Sequence, residues 1–314
     1  MRALASPASL KGVLSAREAA WLLAEGFGRA GVLAEQSPIA DGGEGTAEVL
    51  DARVVRRVPV HDAFGRARVA PIWALGDGTV IVESADAIPL DPSRLEVLAA
   101  SSRGFGELIA AVGDCPRLLV CLGGTATMDG GAGLLEVLDE LPAPTIVLCD
   151  TRATLLEAPR AFGPQKGALA DDIARLEDRL LSLEHGHSLA KLPGGGAAGG
   201  LGAALASLGA ELVSGAEYVL EAKRFRERAA RADLVVTGEG TVDRTTFEGK
   251  APGEAVRICR ELGVRCVLFG GRVEEGMGIE ATAMSGDPAR AREDLEDLGL
   301  ALGTGDAPSN VDRP

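Results

Sequence analysis

Apolar runs in this chain repeatedly break into glycines and acids. The clearest case begins with Leu234, Val235 and Val236, the pattern of a short buried strand. It passes into Thr237, Gly238, Glu239 and Gly240, where the backbone is expected to turn sharply. Asp243 and Lys250 follow before a helical pattern from Glu254. A second strand pattern from Arg117 gives way to Gly123, Gly124, Thr125, Ala126, Thr127, Met128, Asp129, Gly130 and Gly131. A third segment, Asp41, Gly42, Gly43, Glu44, Gly45 and Thr46, leads into Ala47, Val49 and Leu50 at helical spacing. A strand ending in a glycine turn ahead of a helix is how α/β proteins present a ligand site. The alternation implies an α/β fold with largely parallel sheets.

Glycine lets backbone amides approach an anion, and a helix N-terminus adds about half a positive charge. Acids in the same loops would repel a phosphate. A divalent cation or the hydroxyls of a polyol resolves that conflict, so the loops read as parts of one phosphoryl-transfer site with bound magnesium. Glycine–acid pairs also serve ordinary turns, and the repetition favours the ligand reading. Lysine is scarce in a chain that otherwise uses arginine, yet Lys11, Lys166 and Lys250 each adjoin a glycine.

The chain has 314 residues, enough for two domains. Aromatics make up 3%, leaving Ala, Val and Leu to build the core. A formal net charge of -14 argues against a nucleic-acid partner. No stretch approaches a membrane span, no signal peptide is read, and the scattered cysteines read as reduced core thiols, so a cytoplasmic protein is expected. The segment Gly194 to Gly199 fits GxGxxG but follows Leu192 and Pro193 rather than a strand, so a dinucleotide site is rejected. His185 and His187 lie in a polar stretch read as a solvent loop.

Further elements follow from pattern. Ser15 and Glu18 form a capping box ahead of a helix through Phe27. Ala52 to Val60 reads as a strand, and Gly76-Asp77-Gly78 joins two more as a hairpin. Pro92 to Val112 reads as one or two helices, and Ala168 to Leu183, Leu201 to Leu212 and Tyr218 to Ala230 as one each. Thr145 to Leu148 and Val264 to Gly271 read as strands, and residues after Gly303 as a loose tail.

In order along the chain, Leu10 to Ala16, Ile39 to Thr46, Leu122 to Thr127, Asp129 to Gly133, Phe162 to Ala168, Pro193 to Gly200, Asp233 to Gly240 and Gly249 to Pro252 resemble the type 1 glycerate kinases of bacteria. The resemblance runs from about Ala5 to Gly271. It implies transfer of the ATP γ-phosphate, with Mg2+, to D-glycerate or a close hydroxy acid, with 2-phosphoglycerate favoured over 3-phosphoglycerate. It also implies two α/β domains with the active site in the cleft between them. One is Rossmann-like and discontinuous, residues 1–60 plus 230–314. The other, residues 61–229, is inserted and carries a mixed sheet. A homodimer is compatible with the sequence.

The resemblance further assigns roles. Lys11, Lys166 and Lys250 would neutralise phosphates. Asp41, Glu44, Glu239 and Asp243 would hold magnesium or glycerate hydroxyls, with Glu239 and Asp243 the metal pair. Asp129 or Asp150 would orient or deprotonate the attacking hydroxyl. Gly42, Gly43, Gly45, Gly123, Gly124, Thr125, Gly130, Gly131, Gly195, Gly196, Gly238 and Gly240 would bring backbone against substrate or nucleotide. Ala8, Met128, Ala153, Thr154, Thr241 and Thr245 stand where the family carries other, mostly polar, residues. An alternative is therefore a catalytically impaired relative that binds a nucleotide or small acid in a regulatory role.

Overall fold

The computed structural model describes residues 1–274, 278–306 and 311–312. The strands among them are β1 (Arg2–Ala5), β2 (Leu33–Gln36), β3 (Arg53–His61), β4 (Ala67–Ala74), β5 (Val80–Glu83) and β6 (Leu118–Leu122). They continue with β7 (Thr145–Cys149), β8 (Glu211–Ser214), β9 (Leu234–Val242), β10 (Arg265–Val273), β11 (Ala281–Ala283) and β12 (Val311–Asp312). The chain divides into two compact units, residues 1–41 with 216–314 and residues 42–215.

The first unit carries the sheet β12-β11-β10-β9-β1-β2, parallel except for the β11–β12 pair. Helix Ala16–Arg29 has the expected box, with Ser15 accepting from the Glu18 amide and Glu18 accepting from Ser15. Its Leu22, Leu23 and Phe27 share a core with Leu295, Leu298 and Leu302 of helix Ala291–Thr304. A Cβ at Gly26 would sit 2.1 Å from the Glu296 carbonyl oxygen, so only glycine allows that helix contact. The tail expected after Gly303 begins inside this helix and otherwise lies largely outside the described residues.

The second unit carries the sheet β3-β4-β5-β6-β7-β8. β3, β4 and β5 pair antiparallel, giving the expected hairpin, and β5 to β8 run parallel. Its core gathers Ile72, Val82, Phe105, Leu108, Leu118, Val120, Leu122 and Val147.

The unit boundaries depart from the expected ones. β3 pairs along its length with β4, which puts residues 42–60 in the insertion. Ala216, Leu220, Phe225 and Ala229 pack with Val235 and Cys259, which puts residues 216–229 in the first unit. Other departures are local. From Pro92 to Val112 only Arg103–Ala110 is α-helical. The helix read over Leu201 to Leu212 follows left-handed φ angles of 50°, 74° and 99° at Ala198, Gly199 and Gly200 and ends at Ser207, and the last residues instead pair with β7 as β8. The single helix read from Tyr218 is two, Gly215–Ala222 and Phe225–Ala229, broken where Arg224 takes the left-handed φ of 52°. Among the described residues no helix is long and apolar enough to cross a membrane.

Candidate active site

In the first unit the glycines after Val236 do not turn the chain. β9 runs straight on from Leu234 to Val242 and pairs with β10 throughout, with Gly238 opposite Phe269 and Glu239 opposite Gly270. A Cβ at Gly238 would lie 2.2 Å from the Phe269 carbonyl oxygen, so this glycine permits close strand packing. Around Gly240 the corresponding space is open.

The extended strand delivers Glu239 beside Lys250, the residue capping helix Ala251–Leu262, with Nζ 3.3 Å from Oε2. Thr246 donates its hydroxyl to Glu239 Oε1 at 2.7 Å. Burial raises the Glu239 carboxyl above its ordinary range, Lys250 and Thr246 oppose that, and nearby Asp41 adds to it. Asp243 takes a different part. Its Oδ1 accepts from the Thr245 amide at 2.8 Å and hydroxyl at 2.6 Å, capping the short helical turn Arg244–Phe247. These bonds, led by the Thr245 hydroxyl, hold its pKa low. Lys11 is exposed in the turn bridged by Leu10 and Leu14, just past the Ala8 amide that bonds the Gly238 carbonyl.

In the second unit the site residues collect at the carboxyl ends of β5, β6 and β7, the edge where open parallel sheets hold ligands. A Cβ at Gly123 would lie 2.7 Å from Asp150 Oδ2 and 3.0 Å from Gly43 Cα. One at Gly124, whose φ is +66°, would meet Glu44 Oε2 and Ala85 Cβ, each at 3.3 Å. Gly42 is pressed against Leu148 and Gly215. Gly42, Gly43, Glu44, Gly123, Gly124 and Asp150 thus form one patch.

Lys166 lies beneath this patch, 4% exposed. Its Nζ donates to the Thr127 carbonyl at 2.8 Å and lies 3.3 Å from Thr125 Oγ1. Burial lowers its pKa to about 8, with Asp150 and Asp129 pulling the other way. Lys166 therefore fastens the loop after β6 from inside.

Asp129 is also internal, 1% exposed. Its Oδ2 accepts from the Ser102 amide and hydroxyl, both at 2.8 Å, and from the Gly133 amide at 3.2 Å, while Oδ1 accepts from the Gly131 amide at 3.2 Å. With its acceptor capacity so committed, Asp129 organises the loop.

Gly130 and Gly131 pack against Leu180, Leu183 and Ala204. Gly195 and Gly196 pack against the backbone of Leu192 and Thr154. These four glycines bring protein against protein. Met128 is wholly buried with Val97, Leu155, Leu176 and Leu180, and so leaves the polar patch untouched.

One residue was not read from sequence and one was misread. Glu83, at the end of β5, is 4% exposed and accepts from the Gly45 amide at 2.8 Å and the Ala47 amide at 2.6 Å. Burial pushes its carboxyl up to about 7, against those bonds and with help from Asp86 and Glu44. An acid closing an apolar strand was its only signal. His185, read as solvent-exposed, is 6% exposed, with Nε2 3.0 Å from the Gly130 carbonyl oxygen. The polarity of its neighbours concealed that burial.

Acids, glycines and lysines gathered near the strand ends of two α/β units match the residue chemistry that phosphoryl transfer uses. Comparison narrows the class. The Glycerate kinase family matches residues 3–141 and 142–287. A glycerate kinase of Halalkalibacterium halodurans is 33% identical over 88% of this chain and 86% of its own. The glycerate 2-kinase of Escherichia coli K12 is 32% identical over 89% and 87%. A solved structure of a candidate glycerate kinase 2 from Salmonella typhimurium LT2 superposes with a TM-score of 0.73 at 28% identity, covering 97% of this chain and 98% of that one. The chain belongs to the glycerate kinase family.

Proposed function

We propose that this chain is an ATP-dependent kinase that phosphorylates a hydroxyl of D-glycerate, with 2-phosphoglycerate as product. The observation that supports it most directly is the Glu239–Lys250–Thr246 cluster, an acid and a lysine held together at the head of a helix. A cation at that position matches the charge that develops on a transferring phosphoryl group. Lys250 is half-buried and paired to Glu239, so incoming phosphate would share its donors with that carboxylate.

Among the described residues no three His, Cys, Asp or Glu side chains gather closely enough to hold a metal on their own. Magnesium ordinarily uses one or two carboxylates with phosphate oxygens and water, and Glu239 with neighbouring Asp41 fits that mode. Bound there, it would neutralise phosphate charge. In this reading Asp150 accepts the proton of the attacking hydroxyl, and Glu44 with the Gly42–Gly45 backbone orients the acid. Positioning and charge neutralisation supply most of the catalysis, so a strong base is not required.

The alternative, an impaired relative that binds a nucleotide or small acid in a regulatory role, rests on the replacements at Ala8, Ala153, Thr154, Thr241 and Thr245, since Met128 is a core residue with no bearing on the polar patch. ADP release with ATP, magnesium and D-glycerate, beside a panel of other hydroxy acids, tests the reading. Turnover on glycerate supports it, and absence of turnover on every acid overturns it.

A further inference from the structure

The consecutive residues Glu83 and Ser84 grip two different glycine loops. Glu83 spans the Gly45 and Ala47 amides with its two oxygens, at 2.8 and 2.6 Å. These amides open the short helix Thr46–Val49, whose N-cap, Gly45, has no side chain to cap it. Glu83 supplies that cap from another strand. Ser84 is wholly buried. Its hydroxyl donates to the Gly123 carbonyl at 3.1 Å and accepts from the Gly123 amide at 3.2 Å. The gripped loops also touch, since a Cβ on Gly123 would lie 3.0 Å from Gly43 Cα.

We propose that Glu83 and Ser84 are positioning residues that set the Gly42–Thr46 loop against the Gly123–Thr125 loop and so fix Glu44 relative to Asp150. Neither needs to touch a ligand. A buried carboxylate is costly to keep, and a core strand has no packing need for one at its end. Both of its oxygens instead meet amides of a loop that carries a candidate substrate ligand. The inference rests on the glycerate kinase reading for its effect on turnover, while the anchoring itself does not.

The test uses the full chain with Glu83→Gln and, separately, Ser84→Ala. Glutamine offers one acceptor oxygen and one donor nitrogen, so one of the two amides loses its partner. Residue-resolved hydrogen exchange on the ligand-free protein should show at least one of the Gly45 and Ala47 amides exchanging about tenfold faster or more in Glu83→Gln, with Gly123 unchanged, and the reverse pattern in Ser84→Ala. In both, kcat on the hydroxy acid should fall about tenfold or more and KM should move by less than about threefold, while the orphaned buried amide lowers the melting temperature.

Unchanged exchange at these amides overturns the anchoring. Altered exchange with wild-type kcat overturns the positioning role. A lower melting temperature with unchanged kcat marks a purely structural pair and also overturns it. If the wild type transfers phosphate to no hydroxy acid, the functional reading fails, and the exchange pattern still decides whether the anchoring stands.

Discussion

Lys166 donates a 2.8 Å hydrogen bond to the Thr127 carbonyl from a position only 4% exposed. A lysine held there with a pKa of about 8 has surrendered part of its affinity for a proton. The unfolded lysine keeps its proton to about 10.5, so between about 8 and 10.5 the unfolded chain binds the extra proton and stability rises with pH. From pH 8 to 10 the wild type should gain about 2 kcal/mol relative to Lys166→Met. Urea titrations of both proteins across that range check it, and parallel curves would show that Lys166 is not burdened by burial.

Lys250→Ala should leave folding nearly unchanged, because its pair with Glu239 is partly exposed and such pairs add about 1 kcal/mol or less. Turnover should nevertheless fall by about two orders of magnitude or more, the usual scale for losing a charge aimed at the reacting group. Steady-state kinetics beside a thermal melt separate the two effects. Wild-type kcat in this variant would remove Lys250 from the machinery.

Asp129→Ala makes the opposite forecast. It strips the acceptor from the Ser102, Gly131 and Gly133 amides inside a closed loop. Orphaned buried donors cost about 1–3 kcal/mol each, moderated by whatever water enters, so a loss of about 3 kcal/mol is expected. Chemical denaturation measures it. A stable but inactive variant would instead point to a direct chemical role for Asp129.

Gly238→Ala should destabilise the first unit by about 2 kcal/mol or more, since its methyl would lie 2.2 Å from the Phe269 carbonyl oxygen and backbone must shift. Gly240→Ala, with open space at the same point, should cost less than about 1 kcal/mol. Thermal melts of the pair decide the matter. Equal losses would mean that strand packing does not explain Gly238.

The parallel strands β6, β7, β9 and β10 were legible because each holds a short apolar run, and the box at Ser15 because its spacing is local. By contrast, β2 (Leu33–Gln36) and β8 (Glu211–Ser214) mix polar residues in and went unread as strands. The meaning of the glycines was harder to read. Gly124 flanks the polar patch, whereas Gly131 and Gly196 accommodate Ala204 and the Thr154 backbone, and no local pattern tells those uses apart. Asp129 and Asp150 look alike as acids beside strand ends. Only the three-dimensional structure shows that Ser102, 27 residues away, occupies the first. Glu83 escaped notice for the same reason, since its partners lie 36 and 38 residues earlier.

The contact between Gly42 and Gly215 has a consequence for the architecture of the whole chain. A Cβ on Gly42 would lie 2.6 Å from Gly215 Cα, so the insertion starts and finishes at nearly one point. Residues 42–215 therefore have the geometry of a cassette, whose ends can be joined to each other and reopened at a surface turn such as Gly76–Gly78 with little rearrangement of their sheet.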